Sequence, residues 1–172
     1  SFHPGQFCVL ASADDGIVER SIDEFEYHVD MIRWMGFGQT FQDFKCNVHI
    51  SGKRGYQGII DVLPRLSPEA LNTITIENDE TKHGLDASLM LADHVPLVLD
   101  LHHHWIRDEE YIQPDDDRVK RVIDSWRGVR PALHYSYSRD HGLQMSNIHK
   151  ADIDHTGLHD ITELLETGAK RS

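Results

Sequence analysis

The sequence predicts an α/β fold of parallel βα units, closed as a TIM-type (β/α)8 barrel, and three observations carry that reading. Short apolar, β-branched runs near residues 46, 74, 97 and 132 recur at the spacing of βα repeats. Stretches of helical period lie between them, which calls for right-handed crossovers and a parallel sheet. His49, Glu77, Asp100 and His134 each fall at the C-terminal end of one of these runs. In a barrel all those ends open on one face, where side chains from different strands can meet. A doubly wound open sheet would string them along a line instead.

The elements follow in order. Ser1 to Leu10 reads as a strand end, a Pro4-Gly5 turn and an apolar run, Phe7-Cys8-Val9-Leu10. Ser21-Ile22-Asp23-Glu24 has the form of a capping box, with Phe25, Val29 and Ile32 on one helical face behind it. Gly36 and Gly38 close that helix. Lys45 to Ile50 is a strand stopped by Ser51-Gly52, and Gly58 to Leu66 a helix of about two turns. Ser67-Pro68-Glu69 places an N-cap before a proline at the first helical position. Thr73 to Glu77 alternates as a strand ending in a carboxylate, with Asn78-Asp79-Glu80 as its turn. Leu85, Leu89 and Ala92 suggest the next helix.

Pro96 to Asp100 reads as a strand buried on both faces, followed at once by three imidazoles, His102-His103-His104. A bend after Asp100 would bring Asp100 and His103 to one point. A charged loop then runs through Asp108-Glu109-Glu110 to Asp115-Asp116-Asp117. Val119, Val122, Ile123 and Trp126 mark a helix, and Arg130 to Ser136 the last clear strand. Beyond it lies a long polar stretch with His141, His149, His155 and His159, and a helical pattern over Asp160 to Glu166.

The totals set limits. With 172 residues the chain is long enough for one sizeable core. Its net charge of −12 weighs mildly against a polyanionic partner, and three divalent ions would bring it only to −6. Cys8 and Cys46 read as buried reduced thiols, so no cysteine nucleophile is expected. No signal peptide and no apolar run near 18 residues is present, which makes a cytoplasmic protein the expectation. The chain begins in a strand-like segment without Met, and a piece of a longer protein is expected. Carboxylates beside imidazoles form a ligand set for a divalent transition metal such as Mn²⁺ or Zn²⁺.

Five motifs then carry a family resemblance. His3-Pro4-Gly5-Gln6-Phe7, Asn47-Val48-His49, Ile76-Glu77-Asn78-Asp79, Asp100-Leu101-His102-His103-His104 and Leu133-His134-Tyr135-Ser136 resemble, in order, the motifs of UV-damage endonucleases. The resemblance implies a barrel that nicks damaged double-stranded DNA on the 5′ side of a lesion, leaving a 3′-hydroxyl and a 5′-phosphate. It implies up to three divalent ions, Mn²⁺ before Zn²⁺. His3, His49 and Glu77 resemble ligands of one. Glu77, Asp100 and His134 resemble ligands of a second, with Glu77 bridging, and these three are expected to carry catalysis. His103 and His149 resemble ligands of the third. Gln6 and Phe7 resemble the pair that enters the duplex at the lesion, although Phe7 alone also reads as a core residue. No obligatory protein partner is suggested.

Two departures stand out. Ala132 replaces a Lys frequent in the family, and Asp160 to Glu166 offers no match to the family's C-terminal Glu ligand. Residues 1–172 therefore read as a single domain, a partial barrel lacking its first strands and its last. The alternatives are a sugar isomerase of the same architecture and a non-catalytic metal-binding remnant. His102 and His104 read as peripheral, Lys53 and Arg54 equally as phosphate contacts or as solvated surface residues, and Trp34, Trp105 and Trp126 as packing residues.

Overall fold

Four short strands, the first three buried along most of their length, lie side by side in chain order. The computed structural model describes residues 1–5 and 7–135. The strands are β1 (Cys46–His49), β2 (Ile74–Glu77), β3 (Leu97–Asp100) and β4 (Leu133–His134), in the sheet order β1-β2-β3-β4. All pairs are parallel. Phe2 adds a fifth position at the β1 edge, donating its N–H to Lys45 O and accepting from Asn47 N. Sequential parallel order with helical crossovers is the arrangement expected of βα repeats.

The crossovers are α1 (Asp15–Trp34), then α2 (Gly55–Val62) with a 3₁₀ turn at Leu63–Arg65 and α3 (Pro68–Thr73), α4 (Leu85–Leu89), and finally α5 (Leu101–Asp108) with α6 (Asp117–Ser125). Side chains alternate along a strand, so the register sorts each strand into two faces. Cys46, Val48, Ile74, Ile76, Leu97 and Leu99 form one face and are buried in the core with Phe25, Val29 and Ile32 of α1. Asn47, His49, Thr75, Glu77 and Asp100 share the other face, and His134 is in register with Asp100. The helices cover the apolar face; the polar face carries the chemistry.

Several local expectations change. The first helix starts at Asp15, six residues before the apparent capping box, because the Asp14 carboxylate accepts the Ile17 N–H. Ser21 lies inside that helix; its hydroxyl donates to Ile17 O and accepts the Val9 N–H, an interaction with a distant segment that its sequence neighbours do not announce. Phe7 to Leu10 is not a strand. Cys8 N–H donates to Gly5 O in a turn and Val9 N–H goes to Ser21, leaving no sheet partner. The second helix begins at Gly55 rather than Gly58, and the last strand shrinks to Leu133–His134. The stretch after Asp100 is the helix α5, not a loop. Trp126 is fully buried, with its indole N–H donating to Leu97 O, whereas Trp34 is 79% exposed and packs in no core. No helix among the described residues is long and apolar enough to cross a membrane.

Candidate metal centre

Glu77 sits at the middle of the polar face with its side chain 1% exposed. A buried carboxylate must be matched by donors. Its Oε1 accepts from His134 Nδ1 at 2.9 Å and lies 3.7 Å from His103 Nδ1. Its Oε2 accepts from the Asn47 amide and lies 3.5 Å from His3 Nε2. Asn47 is held in turn by the Thr75 hydroxyl, which donates to its Oδ1 at 2.8 Å. Burial alone would raise the Glu77 carboxyl, but hydrogen bonds from His3 and His134, with the charge of His49 and His134, outweigh it and hold it at about 2.

Asp100 ends β3 and caps α5. Its Oδ1 accepts from the backbone N–H of His102 (2.8 Å) and of His103 (3.0 Å). Starting a helix there puts His103 three residues on and back over the strand end, so the convergence of Asp100 and His103 arises from helical geometry. Asn78 joins β2 to β3: its amide donates to Asp100 O and its Oδ1 accepts the Asp100 N–H.

The imidazoles are prepared as ligands. His103 Nδ1–H donates to Asn78 O at 3.0 Å, and His3 Nδ1–H to Pro4 O at 3.0 Å. Each bond fixes the tautomer and leaves Nε2 with a lone pair. The Nε2 atoms face carboxylate oxygens, His3 toward Glu77 at 3.5 Å and His103 toward Glu80 at 3.3 Å, where a proton or a cation can lie between the two partners. His49 stands between them, with ring centroids 5.0 Å from His3 and 5.2 Å from His103, and its buried Nδ1 has no hydrogen-bond partner. Its pKa is lowered, first by burial; that of His3 is raised, first by its bond to Glu77. Imidazole nitrogens set against carboxylate oxygens, with an orphaned buried nitrogen on His49, are what a bound cation would satisfy, so the residues fit a divalent metal.

Three sets have donor atoms all within 4.8 Å of one another: His3, His49 and Glu77; Glu77, Asp100 and His103; and His49, Glu80 and His103. Five of the expected residues thus come together. His134 reaches the centre through Glu77 and belongs to no three-donor set among the described residues. Gln6 and His149 lie outside the described residues, as do His141, His155, His159 and Asp160 to Glu166. His104 is not peripheral: it is buried, with Nδ1 3.0 Å from Asp108 Oδ2 and Nε2 3.5 Å from Glu110 Oε2. Phe7 is 78% exposed, which overturns a core role. Sequence reasoning missed Asn47, Asn78 and Glu80 as contributors, though each stands within a motif or turn already singled out. Cys8 and Cys46 are free and buried, and burial pushes both thiols up to about 12.

The family model for UV-endonuclease UvdE matches residues 1–168. The chain belongs to the UvdE family. A UV DNA damage endonuclease of Bacillus velezensis is 26% identical to it over 163 residues, 90% of this chain and 50% of the relative. A UV DNA damage endonuclease of Halalkalibacterium halodurans is 31% identical over 132 residues, 73% of this chain and 39% of the relative. The crystal structure of SacUVDE superposes with a TM-score of 0.67 at 27% identity, covering 80% of this chain and 47% of that one. The α/β fold with a parallel sheet matches that UvdE neighbour, a TIM-barrel-like fold. The chain therefore spans half or less of the length of these UvdE relatives.

Proposed function

We propose that this chain forms the metal-holding face of a DNA-repair endonuclease barrel that hydrolyses the phosphodiester on the 5′ side of UV photoproducts and other distorting lesions. The observation that carries the reading is the convergence of His3, His49, Glu77, Asp100 and His103 from successive strand ends onto two faces of one buried carboxylate. Bound divalent ions, Mn²⁺ before Zn²⁺, would supply the Lewis acidity that brings the pKa of water toward neutrality and balances charge on the phosphate. Glu77 presents Oε2 to His3 and Oε1 to His103 and His134, and shares donor groups with both His49 and Asp100, which suits a bridging role. Asn47 and His134 fix that carboxylate from either oxygen, and Asn78 keeps Asp100 in register with it. The pair formed by Phe7 and Gln6 suits insertion into a duplex whose stacking a lesion has weakened.

A sugar isomerase would need no exposed aromatic on the turn after His3, and Phe7 together with the family match favours the nuclease. Metal analysis of the full chain, paired with nicking of UV-irradiated plasmid, tests the proposal. Bound Mn²⁺ with nicking of irradiated DNA only is expected. Metal without nicking would favour a remnant or a sugar isomerase.

Two further results are expected. Phe7→Ala should leave the fold and metal content unchanged and lower nicking of lesion DNA by roughly tenfold or more, since a base stacked on an aromatic contributes about 1–3 kcal/mol; unchanged nicking would return Phe7 to a surface residue. Mn²⁺ affinity should also weaken on acidification. A raised pKa keeps His3 protonated to higher pH than an ordinary imidazole, so proton competition there begins above 6.5 and grows toward roughly tenfold per pH unit for each proton displaced. Affinity measured from pH 5 to 8.5 would show it, and a flat profile would count against imidazole ligation.

A further inference from the structure

The loops that follow β1 and β2 are joined to each other beyond the strand ends. His83 Nε2–H donates to Gly52 O at 2.7 Å, and the ring lies so close to Gly55 that a Cβ there would stand 2.8 Å from its Cε1. Gly52, at φ +102°, packs against Ala11, whose carbonyl also accepts the Arg54 N–H at 2.9 Å. On the β2 side the Asp79 carboxylate accepts the N–H groups of Thr81 and Lys82, and Asp79 N–H donates to His83 O. Both loops are therefore fixed, and each carries a lysine beside the joint, Lys53 next to Gly52 and Lys82 next to His83. Ser51 and Thr81, from the same two loops, line the cavity that opens beside the metal centre.

We infer that Lys53 and Lys82 form a two-point clamp for the sugar–phosphate backbone of DNA laid across this face. Other cations of the chain are engaged internally. Arg33, Arg65 and Arg118 are ion-paired, and Arg54, the sequence neighbour of Lys53, is held by Asp15 at 2.6 Å. Lys53 and Lys82 are exposed and have no hydrogen bond or ion pair from their side chains among the described residues. The acids just before Lys82 do not neutralise it: Asp79 is occupied by backbone N–H groups, and Glu80 lies 3.3 Å from His103 Nε2. A chain of net charge −12 gains affinity for a polyanion only through local unneutralised cations, and these two stand on the loops of the face that carries the chemistry. The inference rests on the nuclease reading above and adds residues that hold DNA by charge, whether or not a lesion is present.

The test is binding of undamaged duplex to the Mn²⁺-loaded full chain from about 50 to 200 mM salt, for wild type, Lys53→Gln, Lys82→Gln and the double variant. Undamaged DNA is not expected to be nicked, so binding is read alone. Each substitution should weaken binding roughly fivefold or more at the low-salt end. Each should also make the salt dependence shallower by about one counterion, and the double variant by about two. Arginine at both positions should restore both quantities. Lys120→Gln is the control, since it removes the same charge from an exposed site on α6 and should leave the salt dependence as it is. All these lysines are exposed, so every variant should melt like wild type. On a lesion-bearing duplex kcat/KM should fall by the same factor as binding, with the preference for the lesion kept. Salt plots of the Lys53 and Lys82 variants that overlay wild type, or that Lys120→Gln reproduces, would overturn the inference and leave the nuclease reading standing. A wild type that binds no duplex at low salt would overturn both.

Discussion

Glu77→Gln is expected to abolish nicking and to strip the Mn²⁺ held by the central carboxylate, exceeding the roughly 10–100-fold loss of affinity that an outer partner's removal causes. Gln fits the same space and still accepts from Asn47, but it offers one oxygen and no charge to two groups of imidazoles. The metal-free variant carries a second signature in its pH dependence. The Glu77 carboxyl stands at about 2 in the fold against an ordinary 4.5, so its contribution to stability is present above 4.5 and lost as pH falls through about 2. His3 is raised above 6.5, so its contribution is full below 6.5 and is lost as pH rises through its folded value. Both are present between about 4.5 and 6.5. In that window Glu77→Gln should destabilise the metal-free protein by about 2 kcal/mol, the scale of breaking a partly compensated buried pair. As pH rises through the raised value of His3, the buried carboxylate loses that charged partner and keeps its desolvation penalty. There the difference should vanish or change sign. Chelated protein melted at pH 5.5 and 8.5 reads this directly; a pH-independent difference would mean that Glu77 is not coupled to the imidazoles.

The same residues show what a sequence can and cannot announce. His49, Glu77, Asp100 and His134 were legible because each ends a short apolar strand, and parallel registry brings strand ends together whatever the rest of the chain does. His103 was legible only as a residue near Asp100. The helix that positions it was missed because Leu101, Trp105 and the buried His104 are an unfamiliar apolar stripe, and because Asp100 reads equally as a strand end and an N-cap. Asp14 lost to Ser21 as the first helix's cap because the sequence around Ser21 satisfies the capping pattern, while its hydroxyl is engaged with Val9 across the fold. Glu80 was taken for a turn former. Its distance from His103 depends on the Asn78 and Asp79 hydrogen bonds, which no local periodicity encodes.

Asp100 separates structure from chemistry most sharply, since its two oxygens do different things. Oδ1 caps α5 through the N–H groups of His102 and His103, and Oδ2 lies 3.8 Å from His103 Nδ1 within a three-donor set. Asn caps a helix about as well as Asp, so Asp100→Asn should keep the helix and the melting temperature while losing nicking and the Mn²⁺ shared with Glu77. Asp100→Ala removes the cap as well and should cost about 1 kcal/mol of stability. The two variants should also differ at a distance. Fraying the first turn of α5 moves His103, so Asp100→Ala should also lose the contribution of that imidazole to the centre, which Asp100→Asn should keep. Thermal melts and Mn²⁺ titrations of the two proteins side by side decide it. Equal melting temperatures with equal loss of every ion would mean that the cap contributes nothing, and that His103 is held by its bond to Asn78 alone.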